Sequence, residues 1–414
     1  MLIKSLFVNK FFDGLLIQIK AVPRCFVSPR AVCGGLDALL FLGLIGTYYP
    51  GWGRVMAWLS FAVALSRYAE LEINHTFLRN VLMLLGSLAL ISLQSAYPYN
   101  SIRAVEDIGL GFCMFLPGVL FGRQLLDRPY QTVPLLLTCL FAVIHLAFPV
   151  TVFEHLSYGF FDNPNLNGRG LTFVSLLLGI LFWSFLKSPL LEKLPRSQLF
   201  LRFMLIGFAN IGIGILLVLT NYRAGWLAIA SFFILSCFLL FRAAPFLRLA
   251  VSMAVSACLV ILVSFFDVKG FGYGSVGERL LMWNCSLESW VQKYFWFGAG
   301  FDSFKRLRLQ CMPNSAIGLH AYPHNVTIEL LLSVGIVGSL CVLVFVLVQL
   351  RSLILSGCFR SPVAIAAFSA VLGLFVSSQL DMKFASFTYV GSVSALVGII
   401  YSQSPSSHPV AADV

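Results

Sequence analysis

Long apolar runs separated by short polar breaks organise this chain. Twelve such runs cover approximately residues 32–49, 54–66, 80–97, 107–122, 132–152, 170–186, 199–220, 225–241, 249–266, 325–350, 362–380 and 386–402. With no water in a bilayer core, backbone amides must be satisfied within one helix or around a closed barrel. A barrel would show alternating segments of about ten residues, and these runs do not alternate. The pattern therefore predicts an all-α polytopic integral membrane protein with about 12 transmembrane helices. The second and fourth runs are short for a span. No repeat of fixed period is visible.

One polar stretch differs from the rest. Residues 267–324 form a connection of nearly 60 residues between the ninth and tenth runs. Long connections are functional or disordered, and this one carries Trp283, Trp290 and Trp296, residues in which disordered segments are poor. Leu280, Trp283, Leu287, Val291 and Tyr294 recur at helical spacing. They predict an amphipathic helix over 276–294, on the outer surface or over the bundle, ended by Gly298 and Gly300. The chain thus divides into a basic cytoplasmic N-terminus (1–31), transmembrane helices 1–9 (32–266), a periplasmic segment (267–324), transmembrane helices 10–12 (325–402) and a cytoplasmic tail (403–414). No small-residue cleavage pattern follows the early Lys and Arg residues, so a cleavable signal peptide is not expected.

Composition sharpens this. The chain is 59% hydrophobic and 11% charged, against about 25% charged in soluble proteins, which excludes a water-soluble enzyme. A net charge of +11 would suggest nucleic acid in a soluble chain. Here it follows from orientation. With the N-terminus inside, sixteen basic residues fall on the cytoplasmic side and five in short outer loops: Arg54, Arg103, Arg169, Arg223 and Lys383. That bias is the positive-inside pattern, so the expected partner is the lipid bilayer and not nucleic acid.

The outer polar residues carry the candidate chemistry. FDNPNLNGRG contains Asn163, Asn165, Asn167 and Arg169 and reads either as a turn with Asn167 as helix N-cap or as part of a polar substrate pocket. NYRAG places Arg223 in a short outer turn, as a snorkelling side chain or as a functional one. GERLLMW puts Arg279 beside the apolar stripe of the amphipathic helix, facing the bundle or in a surface ion pair. HAYPHNVTIELL brings His320 and His324 to the mouth of the tenth span, where a histidine is structural or acts as a base. Arginine is a permanently charged planar fork matched to phosphate oxygens, so an outer arginine cluster points to a phosphorylated lipid. No outer loop holds a DxD arrangement for a divalent ion, and no Cys or His spacing suggests zinc; neither metal nor cofactor is expected. Of ten cysteines, Cys285 and Cys311 share the long segment and are either a disulfide pair or two thiols.

The order FDNPNLNGRG, TNYRAGW, GERLLMW, FGAGFDSF, HNVTIELLLSVGIVG resembles the superfamily of bacterial O-antigen ligases, O-antigen polymerases and protein O-oligosaccharyltransferases. The resemblance covers about residues 150–340. Three positions depart from that pattern: Tyr222 stands where a Ser commonly precedes the arginine, 294–297 lacks the usual His-Pro pair, and Ser333 replaces an acidic residue. The resemblance implies a GT-C-like helical body and an inverting, metal-independent glycosyltransferase of the inner membrane, its active site facing the periplasm. The donor it implies is a glycan on undecaprenyl diphosphate. Carried over by motif, Arg223 and Arg279 grip the diphosphate and His324 takes the acceptor's proton. Arg169, Asn163, Asn165 and His320 are implied substrate contacts, and Arg306 and Arg308 an electropositive rim.

A ligase, transferring glycan to a lipid A-core sugar, is favoured because one large outer segment near the C-terminal third fits that branch. A polymerase joining repeat units on undecaprenyl diphosphate is the alternative. A protein-directed transferase is disfavoured by the short stretch after Tyr401. From a different class, a transporter would explain the spans and the charge bias but leaves the long outer segment without a role.

Overall fold

The computed structural model describes residues 53–66, 75–127, 164–186, 222–240, 275–311 and 322–404, together with 204, 211 and 214. The expected runs 32–49, 132–152 and 249–266, and nearly all of 199–220, lie outside the described residues. Among the described residues every regular element is a helix: α1 Gly53–Ser66, α2 His75–Leu93, α3 Pro98–Cys113, α4 Phe115–Asp127, α5 Pro164–Leu186, α6 Arg223–Leu240, α7 Ser275–Lys293, α8 Phe304–Cys311, α9 Val326–Leu355, a 3₁₀ turn Cys358–Arg360, α10 Pro362–Asp381 and α11 Phe387–Ser402. Among the described residues, four stretches are long and apolar enough to cross a membrane: Thr76–Leu93, Pro98–Arg123, Val326–Leu355 and Pro362–Asp381. Three shorter apolar helices lie at Gly168–Ser184, Arg223–Ser236 and Phe387–Ser402. This is a helical multi-pass membrane protein; a count of twelve spans reaches into residues that are not described.

The run 107–122 becomes two helices, α3 and α4, meeting at Met114. α3 starts earlier than the hydropathy suggests because Pro98 occupies its first turn, a position where the missing amide costs nothing. α10 is the hub, with fifteen of its twenty residues buried, and it packs against α5, α6, α9 and α11. Small residues permit these contacts, as expected where lipid supplies no hydrophobic drive between helices. A Cβ on Gly373 would lie 2.6 Å from Ala228 O of α6. Gly118 and Gly398 let α4 and α11 meet backbone to backbone.

α9 is broken. Gly335 has φ 64° and ψ −170°, so the helix ladder stops there and restarts. The chain after α7 fills the break: Ala299 N and Gly300 N donate to Leu332 O and Ser333 O at 2.7 and 2.9 Å, while Ile336 N and Val337 N donate to Phe295 O and Trp296 O at 2.9 and 3.1 Å. The four backbone groups freed by the kink are thereby paired, as buried amides require.

α7 confirms a helix close to the expected 276–294, but its buried face is turned from the expected stripe. Met282, Cys285 and Ser286 are buried, whereas Leu280 and Val291 are exposed. A disulfide joins Cys285 to Cys311 and so fastens α8 to α7. Met282, Ala299, Phe304, Leu307 and Leu332 form a separate small core beneath the pair.

Candidate active site

The site is assembled where α5, α9 and α10 end on one side of the bundle. α5 begins at Pro164, which places Asn167 inside its first turn rather than at its N-cap, because proline is suited to the first helical position. Arg169 follows. Gly168, next to it, lies directly against the ring of Tyr222, and Gly225 meets the other part of that ring. The position that departs from the family's serine therefore holds a buried tyrosine that wedges the starts of α5 and α6 together, and Arg223 is the first residue of α6.

His324 immediately precedes the cap of α9. Asn325 is the N-cap, its Oδ1 accepting from Ile328 N at 2.9 Å, and its Nδ2 donates to Gln379 O on α10 at 3.0 Å. Thr327 Oγ1 donates to Gln379 Oε1 at 2.8 Å, and Trp283 Nε1 of α7 donates to Pro323 O at 2.9 Å. Gripped on both sides, His324 adopts φ 55°, a left-handed conformation uncommon outside glycine and characteristic of over-determined sites.

Asp381, the last residue of α10, joins these parts. Its Oδ1 accepts from His324 Nδ1 at 2.7 Å, and its Oδ2 is 3.2 Å from Arg169 Nη2, which also donates to the Asp381 backbone carbonyl. Arg169 donates in addition to Tyr322 Oη at 2.8 Å, and the Tyr322 ring lies 4.3 Å from that of His324. Burial raises the Tyr322 hydroxyl above its ordinary pKa of 10.0, while the Arg169 charge pulls the other way, so the group stays protonated at neutral pH. Because a carboxylate only accepts, the bond fixes the His324 tautomer: Nδ1 carries the proton and Nε2 is the basic nitrogen. Arg279 of α7 lies within electrostatic range of the same carboxylate.

The turn after Asp381 is tied down as well. Glu329 Oε2 accepts from Phe384 N at 2.7 Å, Phe384 stacks on Phe301, and Lys383 pairs with Asp302. Burial works against the Lys383 charge, but Glu329 and Asp302 outweigh it and raise its pKa above the ordinary 10.5.

Of the residues expected from sequence, Arg169, His324 and, through its charge, Arg279 converge on Asp381; Arg223 starts the helix that packs beside Arg169. Asn165 lies in the first turn of α5, and Asn163 and His320 lie outside the described residues. Arg306 on α8 sits 4.3 Å over the Tyr97 ring. Arg308 is buried rather than exposed at a rim. Asp381 and Tyr322 were not anticipated. The signal for Asp381 was an acidic residue closing an apolar run, a costly placement that marks functional positions.

An ion-paired histidine and arginines converging where the helices of a multi-pass membrane bundle end define a membrane protein with acid–base and anion-binding capacity at one face. A family model described as O-antigen ligase matches residues 208–343, and that match supports membership of the O-antigen ligase superfamily. The matched stretch includes Arg223, Arg279, His324 and the break in α9 at Gly335, whereas Arg169 and Asp381 lie beyond its ends. No curated protein matches the chain.

Proposed function

We propose that the protein is a membrane glycosyltransferase of the O-antigen ligase type. It moves a glycan from undecaprenyl diphosphate to a sugar hydroxyl of lipid A-core, at a site facing the periplasm from the inner membrane. The observation that carries this reading is the His324–Asp381–Arg169 constellation, standing next to Arg279 in a chain of that family.

The chemistry follows from the residues. The acceptor hydroxyl attacks the anomeric carbon from the face opposite the diphosphate, the carbon–oxygen bond to the diphosphate breaks, and the configuration inverts. His324 Nε2 takes the hydroxyl proton while Asp381 stabilises the imidazolium that forms. Such proton transfer contributes typically 10²–10⁴-fold. Negative charge grows on the leaving diphosphate, and Arg279 and Arg223 meet it with fixed guanidinium groups. Preplaced charge of this kind favours the transition state over the ground state. Arg169 is committed to Asp381 and Tyr322, and its main effect is to hold the carboxylate towards His324.

Deletion of the gene in its native bacterium, with lipopolysaccharide separated on gels, tests the proposal. Loss of every glycan rung supports the ligase, while a single-repeat band indicates a polymerase. Purified protein transferring glycan from a polyprenyl diphosphate donor in the presence of chelator supports the arginine mechanism. Failure to transfer, with intact helicity, overturns the enzymatic reading and favours a transporter.

A further inference from the structure

Three aromatic residues in the turn after α7 are exposed: Phe295, Trp296 and Phe297, with Trp296 at 64%. Exposed as they are, they are held in place. Trp290 stacks on Phe295 at 5.2 Å and donates from Nε1 to Phe295 O at 3.1 Å. Phe295 O and Trp296 O accept from Ile336 N and Val337 N, which locks the turn to the break in α9. The aromatic side chains therefore stand at a fixed level along α9, that of residues 335–337.

That level coincides with a boundary. α9 spans 30 residues, about 45 Å at 1.5 Å per residue, and only about 30 Å of it fits within a hydrocarbon core. The part after the break, residues 336–355, is about 30 Å long by the same rise. Its exposed large hydrophobic side chains are Leu340, Leu343, Val344, Val346, Leu347, Val348, Ile354 and Leu355, an apolar surface suited to lipid, with the exposed Arg351 near its far end. Before the break, Val326, Glu329, Leu332, Ser333 and Val334 are buried against protein. The lipid-facing surface of α9 thus begins where the aromatic turn is attached.

α7 extends the same surface. Around its circumference the buried face is Met282, Cys285 and Ser286; next to it come Trp283 and Trp290; then Leu280, Leu287 and Val291 in one line; and then the mostly polar side with Asn284 and Glu288, which also carries the exposed Leu281. Leu280 and Val291 are 46% and 59% exposed. A helix with one face on protein, one apolar edge and one polar face is built to lie along a membrane surface.

We propose that the Phe295–Phe297 turn and the Leu280–Leu287–Val291 edge of α7 are seated in the lipid leaflet on the active-site side, in the headgroup and upper acyl region where aromatic rings concentrate. The partner is the lipid of the surrounding bilayer, and the surface continues the one α9 already presents to it. The seat sets the height of α7, and with it Arg279, relative to the membrane.

Full-length protein is reconstituted in vesicles of phosphatidylcholine brominated either high on the acyl chains or near their ends. The Trp296 fluorescence is taken as the difference between wild type and Trp296→Phe, matched by thermal melting. The expected result is a loss of most of this component with shallow bromines, a smaller loss with deep ones, and little quenching by aqueous iodide. Strong iodide quenching with no effect of brominated lipid overturns the proposal. Phe297→Trp, introduced in the Trp296→Phe background, provides a second reporter with the same expected order, and iodide dominance there overturns it equally. Neither readout requires glycan transfer, so the seat is judged independently of the proposed activity.

Discussion

Replacing Asp381 with asparagine separates catalysis from stability, because the side chain keeps its shape and loses its charge. Two interactions change. The hydrogen bond from His324 Nδ1, 2.7 Å long, becomes neutral; bonds to charged groups contribute about 1.5–3 kcal/mol and neutral ones about 0.5–1.5, so losing the charge slows transfer by roughly 5- to 13-fold at 1.36 kcal/mol per factor of ten. Arg169, whose side chain is 12% exposed, loses its counter-charge. Stranding a buried charge costs about 3–5 kcal/mol, and the lower end applies because Tyr322 Oη and the Asp381 carbonyl still accept from Arg169. The first effect belongs to kcat, since the carboxylate acts on the base while other arginines hold the donor; the KM for donor stays within a few-fold. The second appears as a lower melting temperature in detergent. Arg169→Met combined with Asp381→Asn removes the stranded charge, so it recovers much of the melting temperature without recovering transfer. Purified variants assayed with saturating polyprenyl diphosphate-linked glycan give both quantities. Wild-type kcat in Asp381→Asn, or transfer restored in the double variant, would refute the role assigned to the carboxylate.

Other expectations are read with the same tools. Arg279→Ala and His324→Ala each abolish glycan transfer while protein accumulates at wild-type levels, as seen by immunoblot of membranes; full activity in either ends its assignment. Serine at both Cys285 and Cys311 removes a crosslink between residues 26 apart and lowers stability by about 3.5 kcal/mol on the loop-entropy scale. Reductant should lower the melting temperature of wild type and leave that variant unchanged. Gly335→Ala forces a side chain into a left-handed conformation with its Cβ 2.6 Å from Gly298 N, and costs more than the roughly 1–3 kcal/mol of such strain alone. Faster proteolysis between α7 and α9 would report it, and an unchanged cleavage rate would contradict the contact.

The membrane class, most described helix positions and the amphipathic helix were legible in the sequence, since apolar runs and helical spacing are local signals. His324, Arg279 and Arg223 were singled out by motif order, and of these His324 bonds to Asp381 and Arg279 lies within its electrostatic range. Asp381 was not, because one acid at the end of the run 362–380 looks like a boundary until α10 is packed at the centre of the bundle and His324 is brought to it across 57 positions. The break at Gly335 was hidden for a related reason. HNVTIELLLSVGIVG reads as continuous helix, and only backbone donors and acceptors from residues 295–300 make the interruption affordable. The buried face of α7 was misjudged because Leu280, Val291 and Met282 are all apolar; hydrophobicity does not distinguish an edge facing lipid from a face against protein.

The two ends of the site depend on each other in a way that constrains how it can vary. Arg169 is largely withdrawn from water at the start of α5 because Asp381 compensates it, and the Asp381 carboxylate is aimed at His324 because Arg169 and the clamped turn at Lys383 fix its other oxygen and its backbone. Moving the aspartate away from the end of α10 would therefore strand an arginine and release a base together. His324 faces the same restriction, since its left-handed backbone is maintained by Asn325 bonding to Gln379, two residues before Asp381 on the same helix. A single rigid helix end thus sets the position, tautomer and counter-charge of the proposed base. Its residues lie beyond the matched stretch 208–343. Substitutions that shift α10 against α9, including those at Gln379, should consequently reduce transfer before they reduce folding.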